Sequence, residues 1–229
     1  MKYRFKKCLA CLLGALMLFS LTGCAGNLDK KYQNYIKSLI AINYLGASDD
    51  YIKATGANKE DAEALYQANV ELMADNILAY YGVVITDAPE MRDGYVELAK
   101  NIYSKVNYSV SKAYKQDDSY YVDVTIHPIN LFVQTKDSVG NYISKFNTSV
   151  LNGNYNDHTL AEYETEFSTG LLELLNDGCL NMTYGDPVVV TVKIIETEST
   201  YYISDEDFLA IDAAMIATDT YSATESDAQ

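Results

Sequence analysis

Outside its carboxylates this chain is poor in groups that do covalent or metal chemistry. Its two histidines, His127 and His158, lack the close spacing of a zinc site. His127 stands at the end of an expected strand, before Pro128, and His158 in the first turn of an expected helix, so each reads as a surface histidine. Cys179, after Gly178, could act as a nucleophile only with a paired base; a small apolar residue at a helix end accounts for it. Ser109-Val110-Ser111-Lys112 has the S-x-x-K spacing of a serine nucleophile beside a lysine. That chemistry puts the motif at a helix start, whereas here it falls on an expected strand, and the companion S-D-N and K-T-G motifs are absent. Asn152, Asn154 and Asn156 alternate as in a calcium loop, yet Asp157 stands where glycine is needed and Tyr163 where glutamate is needed. No phosphate loop, dinucleotide fingerprint or G-x-S-x-G elbow occurs. The 32 acidic residues would permit two-carboxylate hydrolysis, but nothing singles out a pair. No catalytic residue, metal ligand or cofactor is assigned.

Recognition chemistry is better supplied. The chain has 21 tyrosines and no tryptophan, with doublets at Tyr80-Tyr81, Tyr120-Tyr121 and Tyr201-Tyr202. An exposed tyrosine offers contact area with a polar tip, which suits glycan or protein recognition; partial burial at the edge of the core is its other use. The best-placed group is Tyr121, Asp123, Thr125 and His127. These alternate along one expected strand and so share its more polar face. A neighbouring strand with the same alternation would add Val189, Thr191, Lys193 and Ile195. The four residues on the first strand are the candidate binding residues.

The one cysteine with a defined chemical context is Cys24. Lys2, Arg4, Lys6 and Lys7 make a positive start, and Cys8 to Leu21 is almost wholly apolar. That run is short of the roughly 20 residues needed to span a bilayer, and the layout is that of a secretory signal. It ends Leu21-Thr22-Gly23-Cys24-Ala25, which resembles the lipobox of bacterial lipoproteins. The resemblance implies a diacylglycerol on the Cys24 thiol and cleavage just before it. Residues 1–23 would then be a removed signal and 24–29 a lipidated cysteine with a short tether. The partner implied is the membrane, reached through Cys24 on the extracellular face. Each buried CH₂ contributes about 0.8 kcal/mol, so two acyl chains hold a protein stably where one holds it reversibly.

Without residues 1–23, 13 of the 17 basic residues remain against all 32 acidic ones, a formal charge of −19. Such a surface repels nucleic acid and anionic headgroups and fits a well-solvated exterior. Lys30 and Lys31, just past the tether, are the local exception. Cys8 and Cys11 leave with the signal. A lipidated Cys24 leaves Cys179 without a disulfide partner, so a packed core must supply the stability. Residues 24–229 are enough for one sizeable domain that buries about 70% of its extended-chain surface.

The elements that must position these residues can be read from periodicity. A helix is expected near 30–45, with Tyr32, Tyr35, Ile36, Leu39 and Ile40 on one face, then a short one from Ser48 to Thr55 ended by Gly56. A third is capped by Asn58 and ended by Gly82, with Leu65, Met73 and Ile77 inward. A fourth opens at Asp87 with Pro89 and Glu90 in its first turn, and turns Met91, Tyr95, Leu98, Ile102 and Val106 inward. The period then becomes two. Tyr108, Val110 and Tyr114 form one face, Gln116-Asp117-Asp118 a turn, and Tyr120, Val122, Val124 and Ile126 the apolar face of the returning strand. Helical spacing resumes over 139–150 and breaks at Asn152-Gly153-Asn154. Asp157 caps a longer helix bearing Leu160, Tyr163, Phe167, Leu171 and Leu174, stopped near Gly178. A strand over 187–196, a short strand at Tyr201–Ile203 and a last helix capped by Ser204 follow. The tail over 218–229 is polar, acidic and expected to be disordered.

Strands and helices are therefore segregated. The expected class is α+β, an antiparallel sheet of two hairpins packed on one face by several helices, in one domain over 30–217. Two blocks of helices followed by a hairpin suggest a degenerate repeat, without residue-level self-similarity.

Within this frame, Tyr44-Leu45-Gly46, Tyr51-Ile52-Lys53, Thr55-Gly56, Glu60-Asp61-Ala62-Glu63 and Leu65-Tyr66 resemble a recurrent pattern in small lipoproteins of Firmicutes. So do Tyr121-Val122-Asp123-Val124-Thr125, His127-Pro128-Ile129 and Ile203-Ser204-Asp205-Glu206-Asp207. The family has no known function, so the resemblance transfers no catalytic residues; it implies the surface of a Gram-positive cell. The expected function is a membrane-anchored, non-enzymatic binding domain for a glycan, a peptide or an envelope protein. A cell-envelope hydrolase is the alternative. A transporter's solute receptor needs two α/β lobes, which this chain does not supply.

Overall fold

A computed structural model of the protein describes residues 28–197 and 200–218. The expected signal segment, Cys24 and all but the first residue of the acidic tail lie outside the described residues.

The first helical pattern forms α1 (Leu28–Ile40), which widens into a π turn over Ala41–Leu45. Tyr32, Tyr35, Ile36, Leu39 and Ile40 are buried, the i, i+3, i+4 set of one face. Gly46 ends the turn at φ 66°, and a Cβ there would meet the Tyr66 ring at 2.9 Å. Both the left-handed backbone and the close approach demand glycine. Next come α2 (Ser48–Thr55) and α3 (Lys59–Tyr81). The Asn58 side chain caps α3 by accepting from the Asp61 N–H at 2.8 Å, and Gly82 closes it. Asn69 of α3 donates to the buried Asn43 side chain at 2.6 Å, tying α3 to the π turn.

The fourth helix, α4 (Met91–Tyr103), starts four residues later than the Asp87 expectation. The cause is a contact distant in sequence. The Asp87 N–H donates to the buried carboxylate of Glu164 at 2.7 Å, so Asp87 is fastened to another helix instead of capping its own. The inward residues Tyr95, Leu98 and Ile102 are as expected.

The expected hairpin is present as β1 (Asn107–Val110), β2 (Tyr114–Gln116) and β3 (Ser119–His127). After it come α5 (Leu131–Gln134), α6 (Lys136–Leu151), α7 (Leu160–Leu180), β4 (Val188–Glu196), β5 (Tyr201–Tyr202) and α8 (Asp205–Met215). All pairings in the sheet are antiparallel, in the order β1-β3-β4-β5, with β2 also on β3. The fold is α+β. The inner face carries Val122, Val124, Ile126, Val192 and Ile194, all fully or almost fully buried. Helix α8 packs on β3 and β4, and α1 on β1 and β3.

Two expectations about α7 are corrected. Its cap is Thr159, not Asp157: Thr159 and Glu162 bond reciprocally as a capping box. The helix also runs through Gly178 to Leu180. A Cβ on Gly178 would lie 2.6 Å from Thr135 and 2.7 Å from Leu131, so this glycine admits the α5–α6 corner rather than stopping α7. Its buried stripe is Glu164, Ser168, Leu171, Leu175 and Cys179, whereas Leu160 is exposed. Phe167 and Tyr163 turn sideways onto Phe146 of α6, with ring centroids 4.9 and 5.2 Å apart.

Candidate functional site

The alternation of β3 puts Tyr121, Asp123, Thr125 and His127 on the face opposite the buried Val122, Val124 and Ile126, each half-buried. Register supplies their neighbours. Tyr121 lies opposite Lys193, Asp123 opposite Thr191 and Thr125 opposite Val189 on β4; Thr125 also lies opposite Ser109, and His127 opposite Asn107, on β1. Val189, Thr191 and Lys193 are exposed. The four predicted residues thus share one surface but do not converge on one point. Tyr121 and His127 are six residues apart along a strand, about 20 Å.

The structure adds one residue that the periodicity misplaced. Tyr114 was expected on the inner face with Tyr108 and Val110. Val110 pairs with Val124 and the Ser111 N–H donates to the Asp123 carbonyl, but Tyr114 pairs with Tyr121. Two residues, Lys112 and Ala113, therefore stand against Val122 alone. This one-residue bulge reverses every side chain beyond it. Ala113 becomes buried, and Tyr114 is turned outward at 38% exposure. No local pattern of apolar residues marks the bulge; the nearest sequence sign is the polar Ser111-Lys112 pair inside an otherwise alternating run.

The surface is organised around Asp123. Its Oδ1 accepts from the Thr191 hydroxyl at 2.8 Å and the Tyr114 hydroxyl at 3.1 Å. Its backbone N–H donates to the Ser111 hydroxyl at 2.9 Å. Tyr114 and Tyr121 stack with centroids 6.1 Å apart and planes 28° from parallel. Desolvation first, and then donation to Asp123, raises the Tyr114 pKa, so its phenol remains a donor at neutral pH. The result is a patch with two aromatic faces, a carboxylate held by two hydroxyls, and Lys193 beside Tyr121.

A concavity lies elsewhere. A cleft of about 390 Å³ opens between α1 and α2. Tyr35 of α1 and Tyr201 of β5 form its floor, their rings edge-to-face at 5.2 Å. Lys31, Lys37 and Lys53 line its walls with Asn34, and Asp50 is the one carboxylate among the described residues that line it. The Lys31 ammonium sits 4.9 Å from the centre of the Tyr201 ring. Burial raises the Tyr35 and Tyr201 hydroxyls above their ordinary pKa, so both stay protonated. Lys31 stands out in the sequence as a local positive charge, but the cleft does not, because the two helices and the strand that build it are brought together only by folding.

Of the other single groups, Cys179 and His158 fall outside both surfaces. Cys179 is buried, and burial pushes its thiol up to about 11, the reverse of an activated nucleophile. His158 packs its ring 4.9 Å from Tyr155. Ser109 of the S-x-x-K stretch is on β1, opposite Thr125. Among the described residues, no three of His, Cys, Asp and Glu gather as metal ligands would. None of the described helices is long and apolar enough to cross a membrane.

No family profile matches the chain. No curated protein sequence matches it either. Among solved structures, the fold is similar to that of a candidate lipoprotein (ycdA) from Bacillus subtilis, with a TM-score of 0.53 and 20% identity. The match covers 82% of this chain and 58% of that one, so this chain spans less than two thirds of the length of the protein it resembles. At this identity the likeness is one of fold.

Proposed function

We propose that the protein is a lipoprotein anchored through Cys24 on the extracytoplasmic side of the membrane, and that its domain is a non-enzymatic recognition module. The patch around Asp123 is its binding surface. The observation that carries the reading is the exposed Tyr114–Tyr121 stack beside a carboxylate already oriented by two hydroxyls. Stacked phenols give rigid contact area with little side-chain entropy to lose, and fixed polar groups around them give direction. Ligands of matching chemistry are a glycan, which stacks its C–H face on such rings, an extended peptide or an envelope protein. The description of the Bacillus subtilis protein as a candidate lipoprotein agrees with the anchor. Carboxylate-based hydrolysis gains no support from the cleft, which presents Asp50 where a pair of carboxylates is needed.

The test is photo-crosslinking on intact cells, comparing the wild type with a Tyr114→Ala, Tyr121→Ala double variant. The rings are partly exposed, so the melting temperature should stay within a few degrees while the dominant crosslinked species is lost. Unchanged capture would put the binding surface elsewhere, and collapse of the fold would make the rings structural.

A further inference from the structure

The cleft between α1 and α2 departs from the electrostatics of the whole. The chain carries a formal charge of −15, yet among the described residues three lysines and one aspartate line this concavity, a balance of +2. Lys31 and Lys37 come from α1, Lys53 from α2, and they converge only because the two helices pack together. Asp50 pairs with Lys53 at 3.3 Å across one turn of α2, with both side chains largely in solvent. At about 390 Å³ the cleft falls in the range of roughly 300–1,000 Å³ typical of small-molecule sites. Its floor is aromatic, and its polar groups are of two kinds: ammonium donors suited to phosphate oxygens, and the Asp50 carboxylate and Asn34 amide suited to hydroxyls.

We propose that this cleft binds a small polyol phosphate, presented either as the headgroup of an anionic phospholipid or as a free ester. The phosphate lies among Lys31, Lys37 and Lys53, and the polyol hydroxyls meet Asp50 and Asn34. Position favours the headgroup source, a point that rests on the proposed anchor. The helix α1 starts four residues after Cys24, a reach of at most about 14 Å, and Lys31 lies within its first turn. A protein that is acidic overall would otherwise be pushed off an anionic membrane; this cleft gives it one attractive face next to its tether.

The experiment uses the full-length chain in uncharged detergent micelles, titrated calorimetrically with glycerol 1-phosphate and inorganic phosphate. In parallel, flotation with phosphatidylglycerol vesicles is compared with flotation on phosphatidylcholine vesicles. Each lysine near an anionic group contributes about fivefold in affinity. The Lys37→Gln, Lys53→Gln variant should therefore bind far more weakly. The Lys136→Gln, Lys145→Gln variant, with the same change in net charge on α6, which packs on α5 and α7, should bind as the wild type does. Binding of both the ester and the phosphatidylglycerol vesicles identifies headgroup chemistry, and binding of the ester alone identifies a free ester as ligand. No binding by any probe, or equal loss in both lysine pairs, overturns the site. Attachment of labelled fatty acid to Cys24 is scored separately, so failure of the anchor and failure of the cleft are distinguishable.

Discussion

At the scale of single residues the molecule uses tyrosine for two purposes. Tyr32, Tyr35, Tyr44, Tyr95 and Tyr103 are core residues with exposures of 2% or less, and their hydroxyls need internal partners. Tyr44 donates to Asp212 at 2.7 Å and Tyr95 to the Ser168 carbonyl at 3.0 Å. Tyr114 and Tyr121 instead keep part of their rings in water. The buried set makes stability depend on alkaline pH. Burial pushes Tyr95 from about 10 up to about 12, and Tyr142 is raised to about 12 chiefly by desolvation. A pKa raised by folding means that the fold favours the protonated phenol. That contribution is complete below about pH 10 and is lost as pH climbs through about 12. Melts recorded between pH 8 and pH 12 should show a level melting temperature up to about pH 10 and a steep fall above it. The Tyr95→Phe variant should have a shallower fall, at a loss of about 1 kcal/mol at neutral pH from the missing hydrogen bond. A flat profile through pH 12 would show that these phenols ionise without opposing the fold.

Helix and strand boundaries separate into those set by neighbours in sequence and those set by packing. Asn58, Gly82 and Ser204 were legible because a cap needs only its own turn. The Thr159 box follows the same rule and was available in Thr159-Leu160-Ala161-Glu162, although Asp157 competed for the role. The start of α4 and the role of Gly178 were not legible, since each depends on an element far away in the chain. Two glycines in helices give a direct test of this division. A Cβ on Gly140 of α6 meets nothing within 4 Å, whereas one on Gly170 of α7 would lie 2.4 Å from the Tyr142 hydroxyl oxygen. Gly140→Ala should stabilise by about 0.5–1 kcal/mol through reduced backbone freedom in the unfolded chain. Gly170→Ala should destabilise by about 1–3 kcal/mol, because the α6–α7 contact must open. Urea midpoints of the two variants should move in opposite directions; movement in the same direction would refute the packing assigned to Gly170.

For the molecule as a whole, the sheet turns one face to the helices and the other outward. Burying each valine or isoleucine of the inner face contributes about 1.5–3 kcal/mol, which is why helices gather there and leave the Asp123 side open. The proposed anchor belongs to this scale, since it determines where both faces act. Replacing Cys24 by Ala should abolish incorporation of labelled fatty acid and shift the protein from the membrane fraction to the medium, or leave it unprocessed. Continued labelling of the Cys24→Ala chain would show that the lipid is elsewhere.

The amino-acid order alone determined the features that need only local chemistry. These are the signal-like start with its cysteine, the period-two run of β3, the glycine-ended helices and the α+β class that their segregation implies. Tertiary structure decided what depends on distant partners. The bulge at Lys112-Ala113 costs β1 and β2 their common register, and it is fixed by pairing with β3. It moved Tyr114 from the expected core face to the surface. The inward stripe of α7 was set by α4, α5 and α6, which pack on different sides of one apolar helix. The lysine cleft exists only because α1, α2 and β5 meet. A local pattern fixes which face of an element is apolar, but the free energy that chooses among apolar partners comes from contacts between segments far apart in the chain.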